Sequence, residues 1–235
     1  LVFRNWAASR LDSRFFDESA LGKEESVVVR PQKPQGAVRA QPPLNDMVLV
    51  PAGPFVMGRD NGFPDEQPAH EVFLKAFWID RTEVTVGQYR KFLKASGKKL
   101  PASPVSPSMP KNYFADAAYA RFPMVDVSWH DAAAFCRWSD KRLPAEAEWE
   151  KAARGTDQRL YPWGGIWDEN LANSRESTVS SSPERMVHFT TAVGSLPANA
   201  SPYGALDMSG NVWEWVADWY AGYPGSRNQD DSYGQ

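Results

Sequence analysis

The chain has 235 residues, enough for one sizeable domain or two small ones, and 42% of them are hydrophobic, enough for a core. Its formal net charge of -3 provides no basic field to attract nucleic acid, so we predict no nucleic-acid partner. No apolar run reaches the length of a transmembrane helix. Ten Trp and 19 Pro predict many irregular loops held by large aromatic side chains.

An N-terminal arm, residues 1–46, differs from the rest of the chain. Residues 30–36 and the Pro42-Pro43 pair lie in polar sequence without periodicity, which predicts an extended and partly polyproline-like segment. Four aromatic residues of the arm are too apolar for a freely solvated linker, and we expect them to contact a protein partner or the domain itself. They are Phe3, Trp6, Phe15 and Phe16.

The first residue is Leu1 rather than Met. Two interpretations stay open: the arm follows a removed signal or an upstream membrane helix, or the fragment simply starts there. The first interpretation predicts a periplasmic or otherwise extracytoplasmic protein, attached to a membrane through sequence upstream of Leu1. The one cysteine rules out an intrachain disulfide and does not decide between compartments.

Three strands are predicted at the start of the globular part, near Asp46. Residues 47–50 form the first and are followed by a Pro-Ala-Gly-Pro turn. Residues 55–58 form the second strand. Residues 72–79 form the third, as a single strand with mixed alternation.

Three helices are predicted from their start and stop signals. Thr85 with Gln88 forms a capping box for a helix that ends at Gly97, and Ser128 begins a second helix in a similar way. The third helix is predicted over residues 146–154. The side chains predicted to face the core are, in chain order, Val86, Tyr89, Phe92, Leu93, Ala132, Phe135, Cys136, Trp149, Ala152 and Ala153.

These elements together indicate the α+β class with much irregular structure. We predict one domain over residues 47–220 and a polar tail over residues 221–235. The polar stretch 177–182 is predicted to be a surface loop.

Two dense segments of the chain are Lys141-Arg-Leu-Pro-Ala-Glu-Ala-Glu-Trp-Glu-Lys-Ala-Ala-Arg-Gly155 and Gly204-Ala-Leu-Asp-Met-Ser-Gly-Asn-Val-Trp-Glu-Trp215. Both resemble the formylglycine-generating enzyme, or sulfatase-modifying factor, family. Others occur in family order and at family spacing, so the resemblance covers residues 47–220 and is highly specific. They span residues 47–58, 68–72, 77–89, 123–132, 135–138, 161–164 and 218–220.

The resemblance implies a fold with little regular secondary structure, related to C-type lectin folds. It also implies an activity: family enzymes carry two closely spaced cysteines beyond the segment that matches residues 218–220, and these bind Cu(I) and activate oxygen. Here only Cys136 is present, so we expect no copper site and no catalytic residue in this fragment. Ala145 also stands where the family has a helix-capping threonine, a loss of about 1 kcal/mol.

The segment from Asp207 to Glu214 resembles a family calcium site. Its two carboxylates flank a glycine turn, and the carbonyls of Gly210 and Val212 can complete an oxygen ligand set. The alternative is a tight Gly-Asn turn that Asp207 caps locally. Asn173 matches a ligand of a second family calcium site, but residues 184–189 do not supply the aspartate that this second site requires.

The other metal-binding side chains favour structural roles. Cys136 is predicted to be a small hydrophobic residue on an apolar helix face, because Cu(I) needs at least two soft ligands. The histidines His70, His130 and His188 are too far apart in sequence for a local metal motif, and His70 is expected to hydrogen-bond within the turn before its strand.

Three functions remain open from sequence. The first is a non-catalytic family member that serves as a structural or accessory subunit outside the cytoplasm. The second is a copper-dependent oxidase that converts a substrate cysteine to formylglycine, presented without its cysteine pair. The third is a calcium-dependent module that binds a carbohydrate or peptide.

Overall fold

The structure, a computed structural model, describes residues 46–101, 104, 109–174 and 190–227. Its four strands are β1 (Met47–Val50), β2 (Gly53–Met57), β3 (His70–Leu74) and β4 (Phe77–Asp80). Strand β1 pairs antiparallel with β4, and β2 pairs antiparallel with β3. The register from Met47 opposite Asp80 to Met57 opposite His70 continues unchanged through both pairs, so the strands form one long ribbon interrupted in the middle.

The interruption lies where Pro51 and Ala52 face Lys75 and Ala76. Proline has no backbone N–H to donate to the partner strand, which breaks the ladder there. The ammonium of the buried Lys151 donates to the carbonyls of Pro51 at 2.9 Å and Gly53 at 2.8 Å, on either side of Ala52. The prediction of one strand over residues 72–79 is therefore wrong, because the proline acts on it from the opposite strand.

Three α-helices follow among the described residues: α1 (Val86–Ser96), α2 (Trp129–Trp138) and α3 (Glu146–Arg154). The Thr85 hydroxyl accepts a hydrogen bond from Gln88 N, and Gly97 ends α1 in the left-handed conformation with φ 70°. Ser128 caps α2 through Asp131 N. These three signals confirm the predicted starts of α1 and α2 and the predicted end of α1.

The start of α3 is capped from a distance. Ala145 offers no side-chain acceptor, but the Asp218 carboxylate accepts from Glu146 N at 2.6 Å. The Glu148 carboxylate accepts from Ala145 N at 2.8 Å. The cap inferred to be lost is thus partly replaced by a carboxylate 72 residues away.

Three clusters of buried side chains make up the core among the described residues. The first joins α1 and α2 to residues 109–124, and Tyr89, Phe92 and Phe135 contact one another within it. The second packs α3 against β1, β4 and the segment around Met208. The third packs Tyr223 against β2.

Several tryptophans of the described residues lie at the edge of the core and are not fully buried. Trp149 is 5% exposed, whereas Trp138 is 46% and Trp213 is 45% exposed. Trp129, Trp163 and Trp215 are partly buried. Their indole N–H groups donate to backbone carbonyls near the surface, which explains why these rings stay at the edge of the core.

The architecture confirms the predicted α+β class with few helices, small sheets and long irregular segments. Within the part of the chain that the structure describes, no helix has both the length and the apolar character needed to cross a bilayer.

Candidate functional site

The candidate site is built around the loop of residues 204–218, and two tryptophans fasten this loop to the start of α2. The Trp129 indole donates to the Val216 carbonyl at 2.9 Å, and the Trp215 indole donates to the Val127 carbonyl at 2.9 Å. Because each segment donates one hydrogen bond to the other, the loop is held at two points, and its carboxylates are placed relative to the core.

Asp207 is the most firmly held carboxylate of the loop. It is 3% exposed and has a left-handed backbone conformation, with φ 58°. Its Oδ2 accepts from Gly194 N at 2.6 Å, and its Oδ1 accepts from Asn199 Nδ2 at 3.0 Å. Each carboxylate oxygen has a second lone pair, so these hydrogen bonds orient the group and leave it able to accept further.

Asn211 ties three segments to the loop. Its Nδ2 donates to Glu83 Oε1 at 2.8 Å, and its Oδ1 accepts from Thr191 N at 2.8 Å. Asn211 N donates to the Asn173 carbonyl at 2.8 Å, and Asn173 Nδ2 donates back to Asn211 Oδ1 at 3.2 Å. One amide side chain therefore aligns the segments before α1, around Asn173 and around Thr191.

Glu83 brings a carboxylate to the site from the segment between β4 and α1. It is 8% exposed, and its second oxygen, Oε2, has no hydrogen-bond partner among the described residues. Burial raises the pKa of Glu83 well above its ordinary value, and the charges of Asp207 and Glu214 raise it further. A carboxylate buried in this way destabilises the folded protein unless a proton or a cation neutralises its charge.

Glu214 stands at the far end of the predicted calcium motif. Its Oε2 accepts from the Trp149 indole at 3.1 Å. Burial raises its pKa to about 7, the Trp149 hydrogen bond opposes the shift, and the charges of Asp207 and Asp80 add to it. Asp80 forms an ion pair with Lys141 at 2.6 Å, whereas no described basic side chain pairs with Glu83, Asp207 or Glu214.

The residues predicted as metal ligands are brought together only in part. Asp207 and Glu214 lie within electrostatic range of each other, and a Cβ on Gly210 would lie 2.8 Å from the Asn173 carbonyl oxygen. No three carboxylate, imidazole or thiolate groups of the described residues can share one ion. The donor types nevertheless fit a hard cation held by two carboxylates and backbone carbonyls, because the buried Glu83 Oε2 has no partner among the described residues and Glu83 interacts electrostatically with Asp207 and Glu214.

Asn173 is placed differently from the other predicted ligands. Its backbone carbonyl accepts from Asn211 N and its side-chain Nδ2 donates to Asn211 Oδ1, so Asn173 supports the loop through its carbonyl and its amide nitrogen. The segment 184–189, considered for the second calcium site, lies outside the described residues, as do Phe3, Trp6, Phe15 and Phe16.

Cys136 lies partly buried on α2 and packs against the first core cluster. Burial raises the pKa of its thiol, and the charge of Asp80 adds to this, while Lys141 and Arg137 act in the opposite direction. The thiol is therefore less ready than usual to become the thiolate that binds a soft metal. This fits the predicted role as a small hydrophobic residue.

His70 Nδ1 lies 3.0 Å from the Pro68 carbonyl, which confirms the hydrogen bond predicted within the turn before its strand. The ring also contacts Tyr223 at a centroid distance of 4.8 Å.

Sequence reasoning missed two residues of the site, Glu83 and Asn211. The signal for Glu83 was a charged residue directly ahead of an apolar helix stripe, where a solvent-facing residue is the ordinary expectation. The signal for Asn211 was its position after Gly210, which favours a turn with positive φ; its φ is 65°. Neither signal indicates that the two residues meet, because 128 residues separate them.

A comparison with family models matches residues 33–233 to the sulfatase-modifying factor enzyme 1-like domain. This range includes all of the described residues and therefore the whole of the site.

Curated relatives include two kinds of protein. The serine/threonine-protein kinase pkn1 of Chlamydia caviae is 36% identical over 222 residues, which cover 87% of this chain and 34% of the kinase. The formylglycine-generating enzyme of Thermomonospora curvata is 36% identical over 220 residues, covering 74% of this chain and 72% of that enzyme. The chain spans about a third of the length of the chlamydial relatives.

Among solved structures, PvdO from Pseudomonas aeruginosa superimposes with a TM-score of 0.62 and 33% sequence identity. The superposition covers 80% of this chain and 75% of that protein. The irregular α+β architecture described above is thus shared with an experimentally determined structure.

Proposed function

Because the chain belongs to the sulfatase-modifying factor family, we propose that residues 1–235 form a non-catalytic, calcium-stabilised domain that serves as an accessory subunit outside the cytoplasm. The observation that carries the non-catalytic part is the state of Cys136, the one thiol of the 235 residues. It lies on a helix, partly buried, with a raised pKa. A single protonated thiol does not match the two soft ligands that Cu(I) requires.

The calcium part of the proposal is supported by the carboxylates of the loop. Asp207 and Glu214 would bind the ion with the carbonyls of Gly210 and Val212, and calcium would supply positive charge where acidic side chains are buried together. An ion that binds the folded state alone stabilises it by mass action.

The accessory role is supported by aromatic side chains on the surface and in the arm. Trp219 is 63% exposed and Trp213 is 45% exposed, and aromatic residues of this kind are enriched at protein interfaces. The aromatic residues of the arm, Phe3, Trp6, Phe15 and Phe16, are proposed to bind the protein partner. Membrane attachment through sequence upstream of Leu1 belongs to the same proposal.

The second candidate is a copper-dependent oxidase that converts a substrate cysteine to formylglycine. It is favoured by the 36% identity to the Thermomonospora curvata enzyme over 72% of that enzyme's length.

One experiment decides between the two candidates. Residues 1–235 are incubated with Cu(I), a reductant, oxygen and a Cys-x-Pro-x-Arg peptide, and the peptide mass is measured. We expect no change of mass, and the Cys136→Ser variant should behave in the same way. A mass loss at the cysteine that depends on this chain would overturn the non-catalytic proposal, and its persistence in Cys136→Ser would identify a ligand set without the thiol.

A further inference from the structure

Among the described residues of the site, Glu83 has a buried carboxylate oxygen without a hydrogen-bond partner. Asp207 accepts hydrogen bonds at both oxygens, and Glu214 accepts one from Trp149. Glu83 Oε1 accepts from Asn211, but Oε2 is buried without a partner in the described part of the chain. With 8% exposure, the side chain cannot turn this oxygen to bulk water.

No basic side chain in the described part of the chain pairs with these acids. Among the described residues, no lysine, arginine or histidine forms an ion pair with Glu83, Asp207 or Glu214. Lys141 forms its ion pair with Asp80, at 2.6 Å. Three acids in one buried region repel one another, and a hydrogen bond from a neutral amide does not remove the repulsion.

We propose that Glu83 belongs to the cation site of the 204–218 loop and directs its free oxygen to a water molecule bound by the ion. This inference rests on the calcium site proposed above and adds a third carboxylate to it. A water-mediated contact fits because no three carboxylates of the described residues lie close enough to share an ion directly. Calcium tolerates such irregular sets of carboxylates, carbonyls and water, whereas Mg²⁺ demands a near-ideal octahedron.

The position of Asn211 supports the assignment. Asn211 lies between Gly210 and Val212, whose carbonyls are proposed ligands, and its Nδ2 holds Glu83 Oε1 at 2.8 Å. The same residue therefore sets the loop backbone and the orientation of the Glu83 carboxylate. A partner of this kind, one step outside the ligands, typically changes metal affinity about 10–100-fold when it is removed.

The test measures Ca²⁺ binding by calorimetry and the melting temperature with Ca²⁺, with Mg²⁺ and with chelator. Wild type is compared with Glu83→Gln, Glu83→Asp and Glu214→Ala, and Glu71→Gln on the exposed face of β3 serves as the matched control. In Glu83→Gln we expect a Ca²⁺ Kd about 10–100-fold weaker. We also expect a higher melting temperature in chelator, because a buried acid that repels Asp207 and Glu214 when ionised is replaced by a neutral amide. Glu83→Asp keeps the charge and should bind more tightly than Glu83→Gln.

The outcomes distinguish failure of the calcium site from failure of the role assigned to Glu83 within it. If chelator does not change the melting temperature of wild type, the calcium site fails and Glu83 with it. If wild type binds Ca²⁺ and Glu214→Ala abolishes binding, an unchanged Kd in both Glu83 variants overturns the role of Glu83 alone. Equal weakening in Glu83→Gln and Glu71→Gln would also overturn it, since the effect would then be one of net charge.

Discussion

At the scale of single residues, the buried pair of Glu150 and Arg154 shows what a charge inside this protein requires. Both residues are 3% exposed, and the Arg154 guanidinium donates to Glu150 Oε1. Glu150 Oε1 also accepts from Gly58 N at 2.8 Å, and Arg154 Nε donates to the Arg159 carbonyl at 2.8 Å. The pair therefore links α3 to the end of β2 and to the segment after the helix.

Removing one partner of this pair should be strongly destabilising. Arg154→Met leaves a carboxylate buried without its cation, and we expect a loss of about 3–5 kcal/mol in the free energy of unfolding. The exposed counterpart is Arg142, whose side chain is 66% exposed and pairs with Glu148. Arg142→Met should cost about 1 kcal/mol or less.

Urea unfolding measures the loss of stability in both variants. The double variant Glu150→Gln/Arg154→Met removes both charges, so it distinguishes the loss of the ion pair from the cost of leaving one carboxylate buried and unpaired. The double variant should be more stable than Arg154→Met. Equal losses in Arg154→Met and Arg142→Met would show that burial does not set the cost.

At the scale of elements, the start of α3 depends on two acceptors from different parts of the chain. Asp218 accepts from Glu146 N, and the Glu148 side chain accepts from Ala145 N. Ala145 has the extended conformation of an N-cap residue, φ -67° and ψ 155°, but no side-chain oxygen. The N–H of Glu148 is the group that a hydroxyl at position 145 would reach.

Restoring the hydroxyl should therefore stabilise the protein. We expect Ala145→Thr to raise the free energy of unfolding by about 0.5–2 kcal/mol, measured by urea titration. Ala145→Val, which has the same shape without the oxygen, is the control and should not stabilise. A gain of equal size in both variants would attribute the effect to the β-branched shape.

The elements that sequence could predict are those whose signals are local. Thr85 with Gln88 and the stop at Gly97 act within one helix, and α1 forms as predicted. The split between β3 and β4 was missed because Pro51 acts from the opposite strand. Asp218 was missed as a cap, and Glu83 as part of the site, because each acts on a residue far away in the chain.

At the scale of the whole molecule, residues 47–220 are predicted to behave as one unit. Limited trypsin digestion, followed by mass spectrometry, should cut first in the arm, for example after Arg14, Lys23 or Arg39, and near the polar stretch 177–182. Lys151 and Arg154 are 1% and 3% exposed and should resist until the domain unfolds.

Cleavage within residues 123–155 before the arm is removed would contradict the single unit. Digestion in urea at a concentration below the unfolding midpoint measured for the same protein is a useful control, because it shows whether early cuts come from local or from global opening.

The hydrogen bond between Glu83 and Asn211 also has a consequence for the order of folding. It closes a loop of 128 residues, whereas the contacts of α1 with residues 113–124 close much shorter ones. Contacts between distant residues require more chain entropy to be lost before they form. The α1 region can therefore order while the ribosome is still making the chain, but the three acids can meet only after Glu214 has been synthesised. The cation proposed for this site would therefore bind after the first core cluster can form, together with the packing of Met208 and Tyr223 into the other two clusters.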